Sequence, residues 1–252
     1  MKIFDWLKKN INKINLGILA LLFFLMCSLP AFAANQTSTE IEQQVLQIIR
    51  QNPDVIFESL QTYQQNQQQN LQEAQQLFLK DLKNNPETII GDSPTNGSII
   101  AQVVLIEFSD FQCPYCAEAY KKVKNLILKY GKKIKVVYKN LPLTTIHSEA
   151  MPAARAAWAA YKQGKFWEFH EQLFTNQNKL GEELYIHIAE NLNLDLQKFE
   201  QDRQIADEFI QKDIEMAESL GISGTPFFVI NSQTFSGVVQ LEDVENILAG
   251  RK

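Results

Sequence analysis

The sequence predicts an α/β fold that is preceded by an α-helical segment. Three short apolar runs of the kind that form buried strands lie at residues 103–106, 134–138 and 227–230. One stretch of helical spacing joins the first two runs, which are therefore expected to pair as parallel strands through a right-handed crossover. A longer helical block, at about 146–220, separates the second run from the third. Upstream, residues 35–90 show helical spacing only.

The first 33 residues have the pattern of a secretory signal peptide. Four lysines, at positions 2, 8, 9 and 13, precede an apolar core that extends from Leu16 to Leu29. The tripeptide that ends at Ala33 is an A-x-A cleavage signal, so we expect cleavage after Ala33. The core is short for a membrane span, and an uncleaved N-terminal anchor is the alternative. Cleavage would also remove Cys27 and leave a single cysteine pair.

Charge and cysteine usage restrict the environment and the partners. The chain has 24 basic and 29 acidic residues, and without residues 1–33 it has 20 and 28, a net charge of −8. Because the sequence contains no basic cluster, nucleic acid is not expected as a partner. An exported protein with one closely spaced cysteine pair fits an oxidising compartment, and the expected localisation is the periplasm.

Residues 34–90 are expected to form an N-terminal helical region. They are rich in glutamine, but apolar residues recur at helical spacing, which argues against disorder for most of the region. Asn52-Pro53 and Asn85-Pro86 are expected to interrupt the helices. These apolar residues form only a narrow stripe along each helix, and such a stripe cannot bury a core alone. The helices must therefore either dock on the rest of their own chain or pair with a second chain.

A C-terminal domain is expected to comprise residues 91–252. It begins with a turn-rich linker at 91–97, followed by a weak extended stretch from Ser98 to Ile100. Its last predicted elements are a hairpin turn at 231–233, a returning strand that ends at Gly237, and a closing helix from Leu241 to Leu248.

A C-P-Y-C motif stands where the first apolar run meets a helix. Pro114 suits a first helical turn, because its missing N–H removes no helical hydrogen bond. The free N–H groups and the dipole of a helix start stabilise an anion, so Cys113 should ionise more readily than an ordinary thiol. Its thiolate can form a mixed disulfide that Cys116 then resolves. The motif therefore predicts a redox site.

Two other interpretations of the cysteine pair are weaker. Zinc needs about four ligands, and the three histidines and Cys27 do not form a second ligand pair. A purely structural disulfide between such close cysteines would constrain little chain entropy. No metal site is therefore expected.

At this point the sequence resembles a known family. The segment F-S-D-F-Q-C-P-Y-C-A at 108–117, together with G-T-P-F-F-V at 224–229, resembles the DsbA-like thiol-disulfide oxidoreductases of the thioredoxin superfamily. The resemblance covers about residues 92–252 and implies a thioredoxin-like fold with an inserted helical block. It also implies that Pro226 is cis, beside the cysteine pair, and that Thr225 offers its backbone to a substrate chain.

Glu107 and His147 are further candidates for the site. Glu107 lies six residues before Cys113 in an otherwise apolar run, and a lone buried carboxylate is costly. It occupies the position where the resembled family carries an acidic residue, which implies a role as proton relay for Cys116. The alternative is a solvated glutamate at a strand edge. His147 precedes an alanine-rich helix and is interpreted as a solvated or capping residue, with a site role as the alternative.

These observations predict an enzyme that forms or isomerises disulfides in exported proteins. No organic cofactor is expected, since the electrons rest in the Cys113–Cys116 disulfide. Pro114 and Tyr115 provide no cation between the cysteines, unlike the histidine of the archetypal oxidase of the resembled family. Thr225 before Pro226 also resembles the dimeric isomerases more than that oxidase. Relatives of the exported type with an added helical region suggest a homodimer through residues 35–90, which would favour isomerase activity. A membrane redox partner of unknown identity is also expected.

Two functions of other classes stay open. One is a copper(I)-binding protein, because thiolates favour that ion. The other is a holdase in which the helical region matters more than the thiols.

Overall fold

The computed structural model describes residues 40–101, 103–231 and 241–250. The signal peptide predicted at 1–33 and the hairpin predicted after Asn231 lie outside these ranges. Within them, the helices that precede the sheet are α1 (residues 40–51), α2 (Pro53–Asn84) and α3 (Pro86–Ile90). Both predicted breaks occur, and each proline stands at a helix start, where it loses no hydrogen bond. No helix within the described ranges is long and apolar enough to cross a membrane.

The chain divides into two compact units between residues 66 and 67. In the first unit, the apolar side chains of α1 and of the start of α2 are exposed. In the second unit, the end of α2 buries Phe78 and Leu82 against a cluster that includes Ile106 and Phe108. The division falls within α2, whose last turns belong to the core of the second unit. The domain boundary at residue 90 stays a prediction.

The sheet has the order β1-β3-β2-β4 among the described residues. Its strands are β1 (Thr95–Gly97), β2 (Val103–Ser109), β3 (Ile134–Asn140) and β4 (Phe227–Ile230). β2 and β3 pair in parallel through the intervening helix α4 (Pro114–Tyr130), as predicted, whereas β1 and β4 are antiparallel to their neighbours. This topology brings the C-terminal ends of β2 and β3 to the same edge of the sheet.

The first strand is not where the sequence predicted it. Residues 95–97 pair with β3, whereas Ile99 and Ile100 are almost fully exposed. Gly97 has a φ of 106°, and a Cβ there would collide with the carbonyl of Ile134. Only glycine allows this close pairing. The composition of the segment, which resembles a turn, therefore concealed the strand.

The predicted helical block between β3 and β4 is present. It contains α5 (Ala150–Lys162), α6 (Phe166–Thr175), a 3₁₀ turn (Gln177–Lys179), α7 (Glu182–Asn191), α8 (Leu196–Ile205) and α9 (Asp207–Ser219), and after β4 the chain forms α10 (Leu241–Leu248). Five of the seven alanines of α5 are buried in a cluster that also contains Phe111, Cys113, Cys116 and Tyr138. The block is therefore packed directly against the end of β2 that carries the cysteine motif.

A buried ion pair connects the sheet to α9. Lys139 Nζ lies 3.1 Å from Asp213 Oδ1, and both side chains are almost fully buried. Asp213 Oδ2 also accepts hydrogen bonds from the backbone and side-chain nitrogens of Asn140, at 2.9 and 3.1 Å. Burial raises the pKa of Asp213, and Lys139 opposes that shift. Two charges removed from water are tolerated here because each is paired and hydrogen-bonded.

Breaking this pair on one side should destabilise the protein strongly. We expect Asp213→Ala to lower the free energy of unfolding by about 3–5 kcal/mol, because it leaves the Lys139 ammonium buried and unpaired. Lys212→Ala, which removes an exposed pairing with Glu208, should cost about 1 kcal/mol or less. Urea unfolding followed by circular dichroism measures both. Equal losses for the two variants would contradict this account.

Candidate active site

The cysteine motif begins at the C-terminal end of β2. The strand ends at Ser109, and α4 begins at Pro114 with Cys113 in an extended conformation as its N-cap. The Cys113 carbonyl accepts the first helical hydrogen bonds, from the N–H groups of Cys116 and Ala117 at 3.1 and 3.2 Å. No acidic side chain occupies the first turn of α4. The positive end of the helix is therefore available to a sulfur anion.

The two thiols have opposite electrostatic environments. The pKa of Cys113 is lowered to about 5, chiefly by the Cys116 thiol and further by Thr225 and the amides of Cys116 and Tyr115, while burial opposes the shift. Burial, reinforced by the neighbouring Cys113, raises the pKa of Cys116 far above its ordinary value. Cys116 is fully buried and Cys113 is only 4% exposed, so the outer thiol is less accessible than the sequence suggested. Tyr115 between them is exposed.

The second motif meets the first in space. The Cys113 thiol donates a hydrogen bond to the carbonyl oxygen of Thr225 at 3.4 Å, across 112 positions of sequence. The Thr225–Pro226 peptide bond is cis, as the resemblance implied. β4 follows at once and pairs with β2 on the side away from β3. The backbone just before β4 thus lies directly against the reactive sulfur.

Glu107 is buried, so the alternative of a solvated edge residue is wrong. It is 2% exposed, in register with Tyr138 on one side and with Phe228 on the other. Burial raises the pKa of Glu107 to about 7, and the nearby Ser109 hydroxyl opposes the shift. The pKa of Tyr138 is raised by burial and then by the charges of Glu107 and Cys116. These three groups therefore share one low-dielectric environment beneath α4.

Asp110 anchors the turn between β2 and α4, and sequence reasoning missed it. Its buried carboxylate accepts hydrogen bonds from the N–H of Gln112 at 2.8 Å and from the N–H of Leu143 at 3.0 Å. His147 Nδ1 lies 2.7 Å from the same carboxylate. The interpretation of His147 as a solvated or capping residue is therefore wrong. It is largely buried and reaches the active-site turn through Asp110.

Two glutamines connect the same turn to the helical block. Gln177 Nε2 donates to the carbonyl oxygens of Phe111 and Cys113, at 2.8 Å each. Gln112 Oε1 accepts a hydrogen bond from the N–H of Glu149 at 2.6 Å. These partners are 37 to 66 positions apart, so no local pattern could have revealed them. The inserted helices therefore help to fix the position of the cysteine motif.

The described residues contain no group of three or more histidine, cysteine or acidic side chains that could hold a metal ion. His147 and His170 each have another environment, the first against Asp110 and the second in an aromatic cluster.

Alkylation should distinguish the two thiols. We expect the iodoacetamide reactivity of Cys113, mapped by peptide mass spectrometry, to rise with a midpoint at about pH 5. Cys116→Ala should move that midpoint upward, because it removes the largest cause of the lowered pKa. In Cys113→Ala, Cys116 should stay unreactive throughout the neutral range. A midpoint for Cys113 near that of free cysteine would contradict the geometry described above.

Comparisons with known proteins show the family and the fold of the chain. A family model described as Thioredoxin matches residues 89–249. A thioredoxin-like oxidoreductase from Silicibacter pomeroyi is 28% identical, with a TM-score of 0.58, and the alignment covers 66% of this chain and 96% of that chain. The thiol-disulfide exchange protein alpha-DsbA2 from Wolbachia pipientis is 22% identical, with a TM-score of 0.59 and coverage of 70% and 96%.

Other relatives are longer or extend further upstream. ScsC from Proteus mirabilis, in a transitional conformation, is 24% identical, with a TM-score of 0.57, and covers 84% of this chain and 94% of that chain. A Na(+)/H(+) antiporter NhaA 3 from Salinispora tropica is 39% identical over 145 residues, which are 56% of this chain. The chain spans about a fifth (22%) of the length of that curated relative. The family match includes β2, the C-P-Y-C helix start and the Pro226 loop, and the chain therefore belongs to the thioredoxin family.

Proposed function

We propose that this chain is a periplasmic thiol-disulfide oxidoreductase that forms and isomerises disulfides in exported proteins. The observation that carries the proposal is the pairing of a low-pKa thiol at a helix start with a fully buried second thiol. Such a pair supplies an attacking thiolate at neutral pH and holds a second sulfur within reach of the mixed disulfide. No organic cofactor is needed, because the disulfide itself stores the two electrons.

The reaction consists of two exchanges. In the reduced enzyme, the Cys113 thiolate attacks a substrate disulfide, forms a mixed disulfide and releases one substrate thiolate. Cys116 then loses its proton and attacks Cys113, so that the Cys113–Cys116 disulfide forms and the second substrate thiolate leaves. The reverse sequence oxidises a substrate dithiol. When the released substrate thiolate instead attacks a different substrate disulfide, and the thiolate freed there attacks the mixed disulfide, Cys113 leaves as a thiolate and the net result is isomerisation.

Thr225, Pro226 and Glu107 have supporting roles in this proposal. The carbonyl of Thr225 lies 3.4 Å from the Cys113 sulfur, so an extended substrate that pairs with this backbone would bring its own sulfur to Cys113. Glu107 is the general base for Cys116, because a carboxyl with a pKa of about 7 both accepts and releases a proton at neutral pH. Pro114 and Tyr115 complete the active-site loop, and the exposed Tyr115 ring offers an apolar contact to the substrate.

The balance between oxidase and isomerase depends on how strongly the site stabilises the thiolate. Pro114 and Tyr115 carry no positive charge, so the stabilisation of Cys113 comes from hydrogen bonds and the helix start alone. We infer that the enzyme has both activities and that a membrane redox partner resets the pair. The signal-peptide pattern at 1–33 supports export to the periplasm.

We also propose that the protein is a homodimer through its N-terminal helical region. Of the predicted region 35–90, the apolar residues of the first unit are exposed, namely Ile41, Val45, Leu46, Ile48, Ile49, Val55, Ile56, Phe57, Leu60 and Tyr63. Ten exposed apolar residues on α1 and the start of α2 exceed the single scattered ones of an ordinary surface and are typical of an interaction surface. Two active sites in one assembly would suit isomerisation, because one substrate could then meet two Cys113 thiolates.

The principal test uses the two cysteine variants. Cys113→Ser should reduce insulin reduction and the refolding of scrambled ribonuclease to the uncatalysed rates, because the attacking sulfur is lost. Cys116→Ser should accumulate a mixed disulfide with the substrate, visible by non-reducing electrophoresis, because nothing resolves it. Full activity of Cys113→Ser in a holdase assay, with no thiol activity in the wild type, would overturn the proposal. Stoichiometric copper(I) binding without insulin reduction would do the same.

The homodimer has its own test. Ile49→Glu with Ile56→Glu should convert the dimer to a monomer in sedimentation velocity, because two charges would be buried in the interface. Gln61→Glu with Gln65→Glu adds the same charge to neighbouring helical positions without removing apolar surface, and it should leave the dimer intact. We expect the monomeric variant to keep insulin reduction and to lose most ribonuclease isomerisation. A wild-type monomer would contradict this proposal.

A further inference from the structure

The carboxylate of Asp110 is a buried charge beside the thiol that we assign as the attacking group. The Asp110 side chain is fully buried, and its Oδ1 accepts a hydrogen bond from the N–H of Gln112, the residue directly before Cys113. The Asp110 carbonyl oxygen also accepts a hydrogen bond from the N–H of Cys113, at 3.1 Å. The carboxylate is therefore fixed to the same short turn that presents the reactive sulfur.

A negative charge at this place opposes the chemistry of the site. Two like charges disfavour each other, and the effect is strongest where burial lowers the effective dielectric constant. The charge of Asp110 acts across the site, because it is one of the charges that raise the pKa of Tyr138. A carboxylate that holds the turn would therefore also oppose ionisation of Cys113, unless another group offsets its charge.

His147 is placed to offset that charge. Its Nδ1 lies 2.7 Å from Asp110 Oδ2, and since a carboxylate only accepts hydrogen bonds, Nδ1 is the donor. In the described part of the chain, His147 is the basic side chain within ion-pair distance of Asp110. The imidazole therefore brings a donor, and a positive charge when it is protonated, directly against the buried carboxylate.

The loop after β3 holds the imidazole in this position. The N–H of Leu143 donates to the same Asp110 Oδ2 at 3.0 Å, and the N–H of His147 donates to the Leu143 carbonyl oxygen at 2.9 Å. These two backbone hydrogen bonds close a turn around the carboxylate oxygen. Because they do not involve the ring, the carboxylate should keep its backbone donors when the ring is replaced.

Four other titratable groups around the turn supply no positive charge. Glu107 and Glu149 are acidic, and burial keeps Tyr138 neutral by raising its pKa. Burial lowers the pKa of His170 to about 3, so its imidazole is neutral at physiological pH. The offset of the buried carboxylate therefore falls to His147.

We propose that His147 is a positioning residue for the reaction of Cys113: it allows the buried carboxylate of Asp110 to fix the active-site turn without opposing the thiolate. The inference rests on the proposed function, in which Cys113 is the attacking thiol. It assigns a basic group to a site whose residues between the cysteines carry no positive charge. Because a more stable thiolate favours the reduced pair, His147 also makes the Cys113–Cys116 disulfide a stronger oxidant.

The test measures the Cys113 thiol itself, so that no protein substrate is needed. Peptide mass spectrometry gives the midpoint of its iodoacetamide reactivity. Thiol trapping gives the equilibrium in which the reduced pair and one glutathione disulfide yield the Cys113–Cys116 disulfide and two glutathione thiols. His147→Phe keeps a ring and removes the donor. It should raise the midpoint by about one pH unit and shift the equilibrium about tenfold towards the protein disulfide, because the thiolate is less stable.

A second substitution separates charge from packing. When Asp110→Asn is added to His147→Phe, no charge remains to be offset, so the midpoint and the glutathione equilibrium should return close to the wild-type values. Equal shifts in the single and double variants would mean that His147 acts through packing, and would overturn the inference. His187→Phe makes the same change at an exposed position of α7, where the ring contacts Asn191, and should alter neither quantity.

The outcomes also distinguish this inference from the proposed function. If His147→Phe does not fold, His147→Gln, which keeps an N–H donor, should raise the midpoint in the same direction by a smaller amount. No rise in a folded His147 variant, with a wild-type midpoint near 5, would overturn the inference and leave the proposed function intact. A wild-type midpoint near that of free cysteine would overturn both. Failure to reduce insulin, with the expected shifts present, would overturn the protein substrate and leave the role of His147 standing.

Discussion

The site depends on the difference in pKa between two thiols that lie one helical turn apart. Cys113 stands at the start of α4, where amides, the Cys116 thiol and Thr225 stabilise its anion. Cys116 lies one turn further in, with no exposure, where ionisation is costly. One thiol therefore ionises easily and the other does not. Burial likewise raises the pKa of Glu107, to about 7.

The helical block between β3 and β4 contributes to this contrast. The turn from Asp110 to Cys113 has few hydrogen bonds of its own, and Asp110, Gln112 and Gln177 connect it to residues 143–177. An insertion after β3 begins at the same edge of the sheet where β2 ends, because the two strands are parallel. The block can therefore fold over the turn and place side chains on it. A shift of α6 or of the 3₁₀ turn would move the Cys113 carbonyl and, with it, the helix start that stabilises the thiolate.

The two parts of the N-terminal region differ in the burial of their apolar side chains. Its last part, from Phe78 to Ile90, completes the core on the face of the sheet opposite α4. Its first part leaves apolar side chains exposed at helical spacing. The helix α2 thus buries side chains in the core of the second unit at its end and exposes apolar side chains at its start.

The sequence by itself determined the local elements and the chemistry of the cysteine pair. Apolar runs predicted β2, β3 and β4, prolines predicted the breaks in the N-terminal helices, and C-P-Y-C after a strand predicted a thiol at a helix start, because each of these depends on neighbouring residues. Only the tertiary structure decided whether Glu107 is buried, since every residue of β2 is covered on both faces and alternation therefore carries no signal. It also decided that His147 contacts Asp110, that Gln177 donates hydrogen bonds to the turn before α4, and that Gly97 belongs to a strand. Those contacts join residues far apart in the chain, and the free energy of a hydrogen bond or a buried charge depends on partners that no local pattern specifies.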